Sequence, residues 1–510
     1  MTTMTPSPYR STLPPTRDGF PQLLHAEWTK LRTIGRWTLT LLAAAVLTVL
    51  ISVISATGAS FQRAPVPSES GAAPPEPGTG PDGLIVQDAF RFVHQPLTGD
   101  GSITARVSGL TGEDGESPGW AKAGLIVKQS TKPSAPYAAV MITPGHGVRM
   151  QSNFTHDTAG SAASADTPRW LRLTRTGTSL TGYESADGAT WQKIGTVRLA
   201  GLPDTAEAGM FVASPNAEEA NASSGSVSFP TRSTAVFSDV TRTGGGGQGS
   251  WQNTDVGETP AGSGESRRTA GTSTSTFTVT GSGDITPHQP RLDLAVVGLS
   301  GSQLGLVLFA ALGVLFITAE YRRGMICTTL SASPRRGRVL VAKAVVIGGA
   351  TFGAGLIAAI VSFLLTQPIL REKGHKLPYF PELSLTDGPV LRAVVGTAAL
   401  LALVAVFALG VGALLRHTAA AITVVVVLVV LPLILVSGLP LSTAQWVQRL
   451  TPVAGFAIQQ TTPRYDFTGQ ACLPGEGCYP QGPWWGLAVL GLYAAVALGL
   501  AVWRLRRRDA

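Results

Sequence analysis

The side chains with the most chemistry to offer lie beside apolar runs. One apolar run ends in Glu320, Tyr321, Arg322 and Arg323; Pro334, Arg335, Arg336, Gly337 and Arg338 follow, and Lys343 leads into a second run. A single Arg or Lys costs about 2.5–3.5 kcal/mol at a bilayer centre. A cluster of them between two apolar runs therefore belongs outside hydrocarbon, and the positive-inside bias puts it in the cytoplasm. Carboxylate and guanidinium groups placed there can pair internally or with a partner's charges. A second group, the charged Glu27, Lys30 and Arg32 with Trp28 among them, precedes the first apolar run. The third candidate is Cys472 with Cys478 in ACLPGEGC. Outside the cell such a pair can oxidise, and the Pro474-Gly475 turn would bring the two together. Cys327, in the basic stretch, is expected to be a free thiol.

Missing chemistry narrows the field further. A phosphate-cradling P-loop needs Gly directly before its Lys. None of the eight lysines follows a glycine. There is no G-x-S-x-G elbow, and the seven histidines show neither H-x-x-x-H nor H-E-x-x-H spacing. Glu113, Asp114 and Glu116 sit in a Gly-rich stretch and read as a solvated loop. The chain is expected to be no enzyme and to hold no cofactor or metal. Its net charge of +8 is concentrated beside apolar runs, a topological signal rather than a phosphate-binding face, so nucleic acid is not an expected partner.

The 510 residues are 44% apolar and only 14% charged. The apolar share is carried by the two ends, and 60–290 is polar. The expected fold is multi-domain: an α-helical polytopic membrane bundle of six transmembrane helices plus an inserted all-β sandwich or jelly roll outside the cytoplasm. Residues 1–19 are Pro-rich and read as disordered. Phe20, Leu24, Trp28 and Leu31 recur at helical spacing, predicting an amphipathic interfacial helix over 20–36. Runs long enough to cross ~30 Å of hydrocarbon fall at 37–57, 293–318, 344–366, 393–415, 418–437 and 484–503. The loop 320–343 is cytoplasmic and 438–483 external. Small residues inside the spans (Gly348, Gly349, Gly353, Gly355, Gly410, Gly412) favour close helix packing.

Between the first two spans, 62–81 is a Pro/Gly/Ser linker. Period-two runs separated by Gly, Asp, Asn and Pro cover 82–241, the pattern of antiparallel strands. Residues 242–290 (GGGGQGS, TSTSTFTVTGSG) read as a flexible tether, with 275–280 offering an edge strand. Six spans put both termini in the cytoplasm of a multi-pass plasma-membrane protein and 60–290 outside. Arg371, Lys373 and Lys376, in a loop this scheme places outside, run against the charge bias.

Two stretches resemble known families. Ala319, Glu320, Tyr321, Arg322, Gly324, Thr329, Leu330, Pro334, Arg335, Arg336, Val339, Leu340, Ala342 and Lys343 follow the order found in the first cytoplasmic loop of type-2 ABC exporter permeases. The run Leu23, Leu24, Ala26, Glu27, Trp28, Thr29, Lys30, Leu31, Arg32 is similar to the segment before their first span. The resemblance implies a transport subunit that binds no ATP itself. The nucleotide is used by a dimer of cytoplasmic ATPase subunits, and a second permease chain completes the pathway through the bilayer. It also implies that Glu27, Trp28, Lys30, Arg32, Glu320, Tyr321, Arg322, Arg335 and Arg336 couple to the ATPase, with Glu320 and Arg322 as contacts or as an internal ion pair. The family's first external loop is usually short; the long insert leaves the substrate class open.

Gly101–Val107, Trp120–Val127, Trp170–Arg175 and Gly182–Trp191 resemble concanavalin/laminin-G-like sandwiches. In such modules the tryptophans are more often core than ligand contacts; Trp120, Trp170, Tyr183 and Trp191 are the candidate ligand-facing aromatics, and cell-envelope glycan the candidate ligand. The alternative function is therefore a membrane-anchored glycan-binding or sensing protein. One span suffices for an anchor, so six spans and the matched loop favour transport.

Overall fold

The computed structural model describes residues 19–61, 78–113, 115–162, 164, 167–221, 225–245, 249–270, 275–322, 324, 336–474 and 477–507. Its two parts are a helical body and a β-domain. The helical body begins with α1 (Phe20–Thr33) and α2 (Gly35–Gly58). After the β-domain come the short α3 (Leu294–Gly298), α4 (Gly301–Arg322), α5 (Arg336–Glu372) and α6 (Gly388–Leu415). The chain ends through α7 (Thr418–Leu435), α8 (Leu441–Leu450) and α9 (Pro483–Arg507). Six of these, α2, α4, α5, α6, α7 and α9, are long and apolar enough to cross a membrane.

The helix limits depart from the sequence expectation in three places. The run expected over 293–318 is split: Asp293 caps α3 by accepting from Ala295 and Val296, and α4 starts only at Gly301. Apolar content alone cannot register such a cap. The predicted cytoplasmic loop is shorter, because Glu320–Arg322 end α4 and α5 already begins at Arg336. Arg335 and the amphipathic piece around Met325–Leu330 lie outside the described residues. The external segment 438–483 is also more than a loop: Pro452–Gln459 forms a 3₁₀ helix with all of its residues buried. It is apolar and small enough to re-enter the body against α6 and α9. Gly410 does permit close packing, since a Cβ there would sit 2.9 Å from Ala497, whereas Gly349 and Gly353 meet nothing within 4 Å.

The β-domain opens with β1 (Val86–Asp88), β2 (Phe90–Gly112), β3 (Lys122–Lys128), β4 (Tyr137–Thr143), β5 (Gly147–Ser152) and β6 (His156–Ala159). It continues with β7 (Arg169–Thr176), β8 (Ser179–Ser185), β9 (Gln192–Arg198), β10 (Thr205–Ala213), β11 (Ala217–Asn221) and β12 (Gly225–Phe229). It closes with β13 (Ser233–Gly245), β14 (Gln252–Val256), β15 (Glu265–Ala270), β16 (Ser275–Gly281) and β17 (Ile285–Pro287). The long β2 joins two layers. Its first part pairs with β10 and β14, its second with β13 and β7. Gly99 between them has φ +65°, a left-handed kink that glycine takes without Cβ strain. The layers close over Val93, Leu97, Ile103, Leu125, Val140, Leu171, Phe237 and Phe277.

The tether expected over 242–290 is instead part of this domain. Gly, Ser and Thr suggested a flexible chain, but alternation at 275–281 sends Phe277 and Val279 into the core. Trp251 packs edge-on against Phe277, ring centroids 5.4 Å apart. At the domain's root β1 pairs antiparallel with β17. Of the predicted 62–81 linker, 62–77 lies outside the described residues. We therefore expect residues 78–290 expressed alone to be soluble and to melt cooperatively, whereas 82–241 should not, since it lacks Phe277, Val279 and the β17 partner of β1. Circular dichroism melts of both fragments check this; equal cooperativity would show that β14–β17 are dispensable.

Candidate functional site

Four charges from three helices meet where α1, the end of α4 and the start of α5 converge. Lys343 Nζ donates to Glu27 Oε2 (2.6 Å) and to Glu320 Oε1 (2.7 Å). Lys30 Nζ donates to Glu27 Oε1 (2.8 Å) and to Glu320 Oε1 (3.2 Å). Lys343 is 1% exposed, Glu27 2% and Glu320 6%. Two carboxylates and two ammonium groups thus alternate with no net formal charge. Lys343 lies one turn beyond Val339 and Leu340, which bury the same face of α5. The quartet rests on an apolar cluster that includes Leu31, Trp37, Phe316, Leu340 and Ile347. Lys343 Nζ is also 5.0 Å from the Phe316 ring centroid, within cation–π range. Burial alone would lower the Lys30 pKa, but Glu27 and Glu320 outweigh it and hold the ammonium above its ordinary value.

The structure gathers some of the predicted coupling residues and separates others. Glu27, Lys30 and Glu320 share the quartet. The partners of Glu320 are Lys30 and Lys343, not Arg322, so the expected internal pair with Arg322 is replaced by one across helices. Trp28, expected on the membrane-interface side of α1, is 47% exposed, and Glu27 and Leu31 are the residues that turn inward. Arg32 and Arg322 are exposed at the rim. Tyr321 is half-buried, and the Arg416 guanidinium stands 5.3 Å from its ring centroid. Arg336 opens α5. The fourth member, Lys343, stands in the sequence as the residue leading into an apolar run and as the last position of the matched loop, not among the coupling residues. Its legible signal was that very position: a lysine inside an apolar run needs a buried counter-charge.

At the opposite end of the helical body, Cys472 and Cys478 form a disulfide. Nearby, Asp293 accepts from Thr461 Oγ1 (2.8 Å) and Thr462 N (2.8 Å). Deeper in the body Gln459 Nε2 donates to Ser302 Oγ (2.8 Å) and Thr397 Oγ1 (3.0 Å). The β-domain is held against this end by the Ile85 N to Pro378 O bond (3.1 Å) and by Gln289 Nε2 to Pro463 O (3.2 Å).

The candidate ligand-facing aromatics divide. Trp120 is buried, its ring stacked on His146 at 3.7 Å between centroids, with Gly469 of the helical body against its edge. It packs where the β-domain meets the helical body. Trp170, Tyr183 and Trp191 share the outer face of β7–β9: Tyr183 pairs across from Arg172, two residues along from Trp170. The Arg172 guanidinium lies 3.8 Å from the Trp191 ring centroid. Among the described residues no three His, Cys, Asp or Glu side chains gather to hold a metal ion.

No family model matches the chain and no curated protein matches it. Solved structures overlap part of it. One is a functionally unknown protein from Saccharomyces cerevisiae, 17% identical, covering 30% of this chain and 74% of its own, with a TM-score of 0.19. Another is SCP-B of the eqolisin family of peptidases with a bound tripeptide, 12% identical, covering 38% of this chain and 98% of its own, TM-score 0.23. A third is scytalido-glutamic peptidase with a peptide-based transition-state analogue, 13% identical over the same shares, TM-score 0.24. Likeness of this extent assigns neither fold nor activity.

Proposed function

We propose that the chain is the membrane-spanning permease subunit of an ATP-driven exporter of the type-2 ABC class. It works in the plasma membrane with a cytoplasmic ATPase dimer and a second permease chain. The observation that carries this reading is the quartet of Glu27, Lys30, Glu320 and Lys343. An ATPase that closes on nucleotide must pass its movement to the spans. A short helix and two span ends joined by buried charges would move as one body and transmit it. On this reading Arg32 and Arg322, exposed at the rim, touch the ATPase, while the quartet joins the helices behind them. The quartet end is cytoplasmic with both termini, and the β-domain lies outside. No lysine of this chain follows a glycine, so ATP hydrolysis belongs to the partner.

The test is copurification from detergent-solubilised membranes of the native host. The tagged wild-type chain should bring down a P-loop ATPase. Arg322→Glu should insert at normal level and recover roughly tenfold less of it or worse, since the like-charge juxtaposition it creates at the interface costs several kcal/mol. Recovery of no P-loop ATPase with the wild-type chain would sink the proposal. Normal recovery and transport by Arg322→Glu would reduce the rim arginines to membrane anchors.

The second reading, an anchored glycan binder, is favoured by the shared face of Trp170, Tyr183 and Trp191 with Arg172. Stacking faces flanked by polar groups suit sugar rings. Fragment 78–290 on an array of cell-wall glycans tests it, and absence of any hit removes it while leaving the transport reading in place.

A further inference from the structure

Where the β-domain meets the helical body, Cys472 and Cys478 border a cavity of about 330 Å³. Glu218 and Arg291, joined by a 3.0 Å ion pair, form part of another wall. Neither cysteine is fully buried. Arg464 lies across the bond: its Nη2 is 3.1 Å from Cys472 Sγ and also contacts Cys478 Sγ. Burial works against the Arg464 charge and Asp466 works for it; a guanidinium stays protonated in either case.

A disulfide that serves only as a staple gains little from a cation over its sulfurs. A sulfur that departs as a thiolate gains much, because a neighbouring positive charge lowers the thiol pKa and makes it a better leaving group. We propose that Cys472–Cys478 is a thiol–disulfide exchange site open to low-molecular-weight thiols, with Arg464 as the positioning residue that holds the departing thiolate. A small-molecule thiolate enters the cavity and attacks one sulfur. The Cys472–Cys478 bond breaks, a mixed disulfide forms, and the electron pair leaves on the other cysteine beside Arg464. A second small thiol then attacks the mixed disulfide at the small molecule's sulfur. It releases the oxidised small disulfide and leaves two cysteine thiols. Two electrons pass from two small thiols to the protein. Leu473, next to Cys472 and buried, lines the cavity, so opening the bond loosens that wall. This inference does not depend on ATPase coupling.

The probe is glutathione. Full-length protein with Cys327→Ser is purified in detergent and held in graded mixtures of reduced and oxidised glutathione. It is then acid-quenched, and its thiols are counted by maleimide mass tagging. Two thiols should appear, with a single-glutathione adduct on the way, while the circular dichroism stays that of the folded protein. Arg464→Gln should need about tenfold more reduced glutathione for half conversion, the size of effect expected when a charged hydrogen bond is lost. Arg464→Lys should stay near wild type. Alkylation of the reduced Cys327→Ser protein should show a thiolate titrating below the ordinary thiol value of about 8.5. The proposal is overturned by a disulfide that yields only on unfolding, by Arg464→Gln converting alongside its Arg464 parent, or by ordinary thiol pKa values for both Cys472 and Cys478 in the reduced Cys327→Ser protein. The last outcome holds even if Arg464→Gln fails to fold.

Discussion

Lys343→Met should destabilise the folded helical body by roughly 3–5 kcal/mol, the range for breaking a buried ion pair from one side. Among the described residues Lys343 is the one cation that reaches both Glu27 and Glu320 from a fully buried position, at 2.6 and 2.7 Å. Without it the two carboxylates share Lys30 alone, whose side chain is 38% exposed and therefore screened. Methionine matches the stem's length and removes only the charge, so packing loss contributes little. Glu320→Gln should cost less. Its Oε2 is buried without a hydrogen-bond partner, and an amide there keeps an acceptor for both lysines. The triple change Glu27→Gln, Glu320→Gln, Lys343→Met should recover most of the loss, because no uncompensated buried charge remains. Melting of the detergent-purified chain, followed by protease resistance, reads all three. A Lys343→Met chain that melts with wild type would mean that water reaches the quartet and its charges need no partner. On the transport reading the triple variant separates stability from coupling: it should be folded and abundant, yet its ATPase partner should hydrolyse ATP without driving export.

How far the chain could be read from its sequence depended on the range of the interactions involved. Long apolar runs are local, and α2, α6, α7 and α9 lie within a few residues of where composition puts them. The period-two runs were equally local and placed most strands. What escaped is pairing across hundreds of positions. Glu27 sits within the Leu24–Leu31 turn of α1 and reads as the polar side of an amphipathic helix. Its place inside is fixed by Lys343, which is 316 residues away in sequence. The β1–β17 pair joins Val86 to Pro287, so composition made the return segment a tether although its alternating Phe277 and Val279 belong to the core. Trp120 and Trp191 carry the same side chain in similarly patterned runs. One is pinned by His146 and Gly469, the other by Arg172, and nothing within either run distinguishes them.

The β-domain should respond most strongly at Lys128. Two lysines on β3 are fully buried, Lys122 and Lys128 at 0% exposure. Lys128 Nζ donates to Asp88 Oδ2 at 2.6 Å and to Ala135 O at 2.9 Å, and Lys122 Nζ donates to Asp284. Asp88 lies on β1 and Asp284 just before β17, so the two ion pairs clip the root ribbon onto the sheet. Lys128→Met should cost roughly 3–5 kcal/mol, because it leaves Asp88 buried with only Ser134 N and no cation. The paired change Asp88→Leu, Lys128→Met should melt close to wild type or above it. The direction follows from the titrations. Burial pushes the Asp88 carboxyl above its ordinary value although Lys128 pulls it down, and burial pushes the Lys128 ammonium below its own although Asp88 pulls it up. A raised carboxyl pKa means stability lost as pH rises through the folded value; a lowered ammonium pKa means stability lost as pH falls through it. Wherever both groups are ionised, both losses apply, and exchanging the pair for apolar side chains removes them together. The orphaned Ser134 N and Ala135 O offset that gain by about 1–3 kcal/mol each. Melts of fragment 78–290 in the three forms decide it. If the double variant is as unstable as Lys128→Met, the pair contributes net attraction, and burial is not the stronger influence on these two charges.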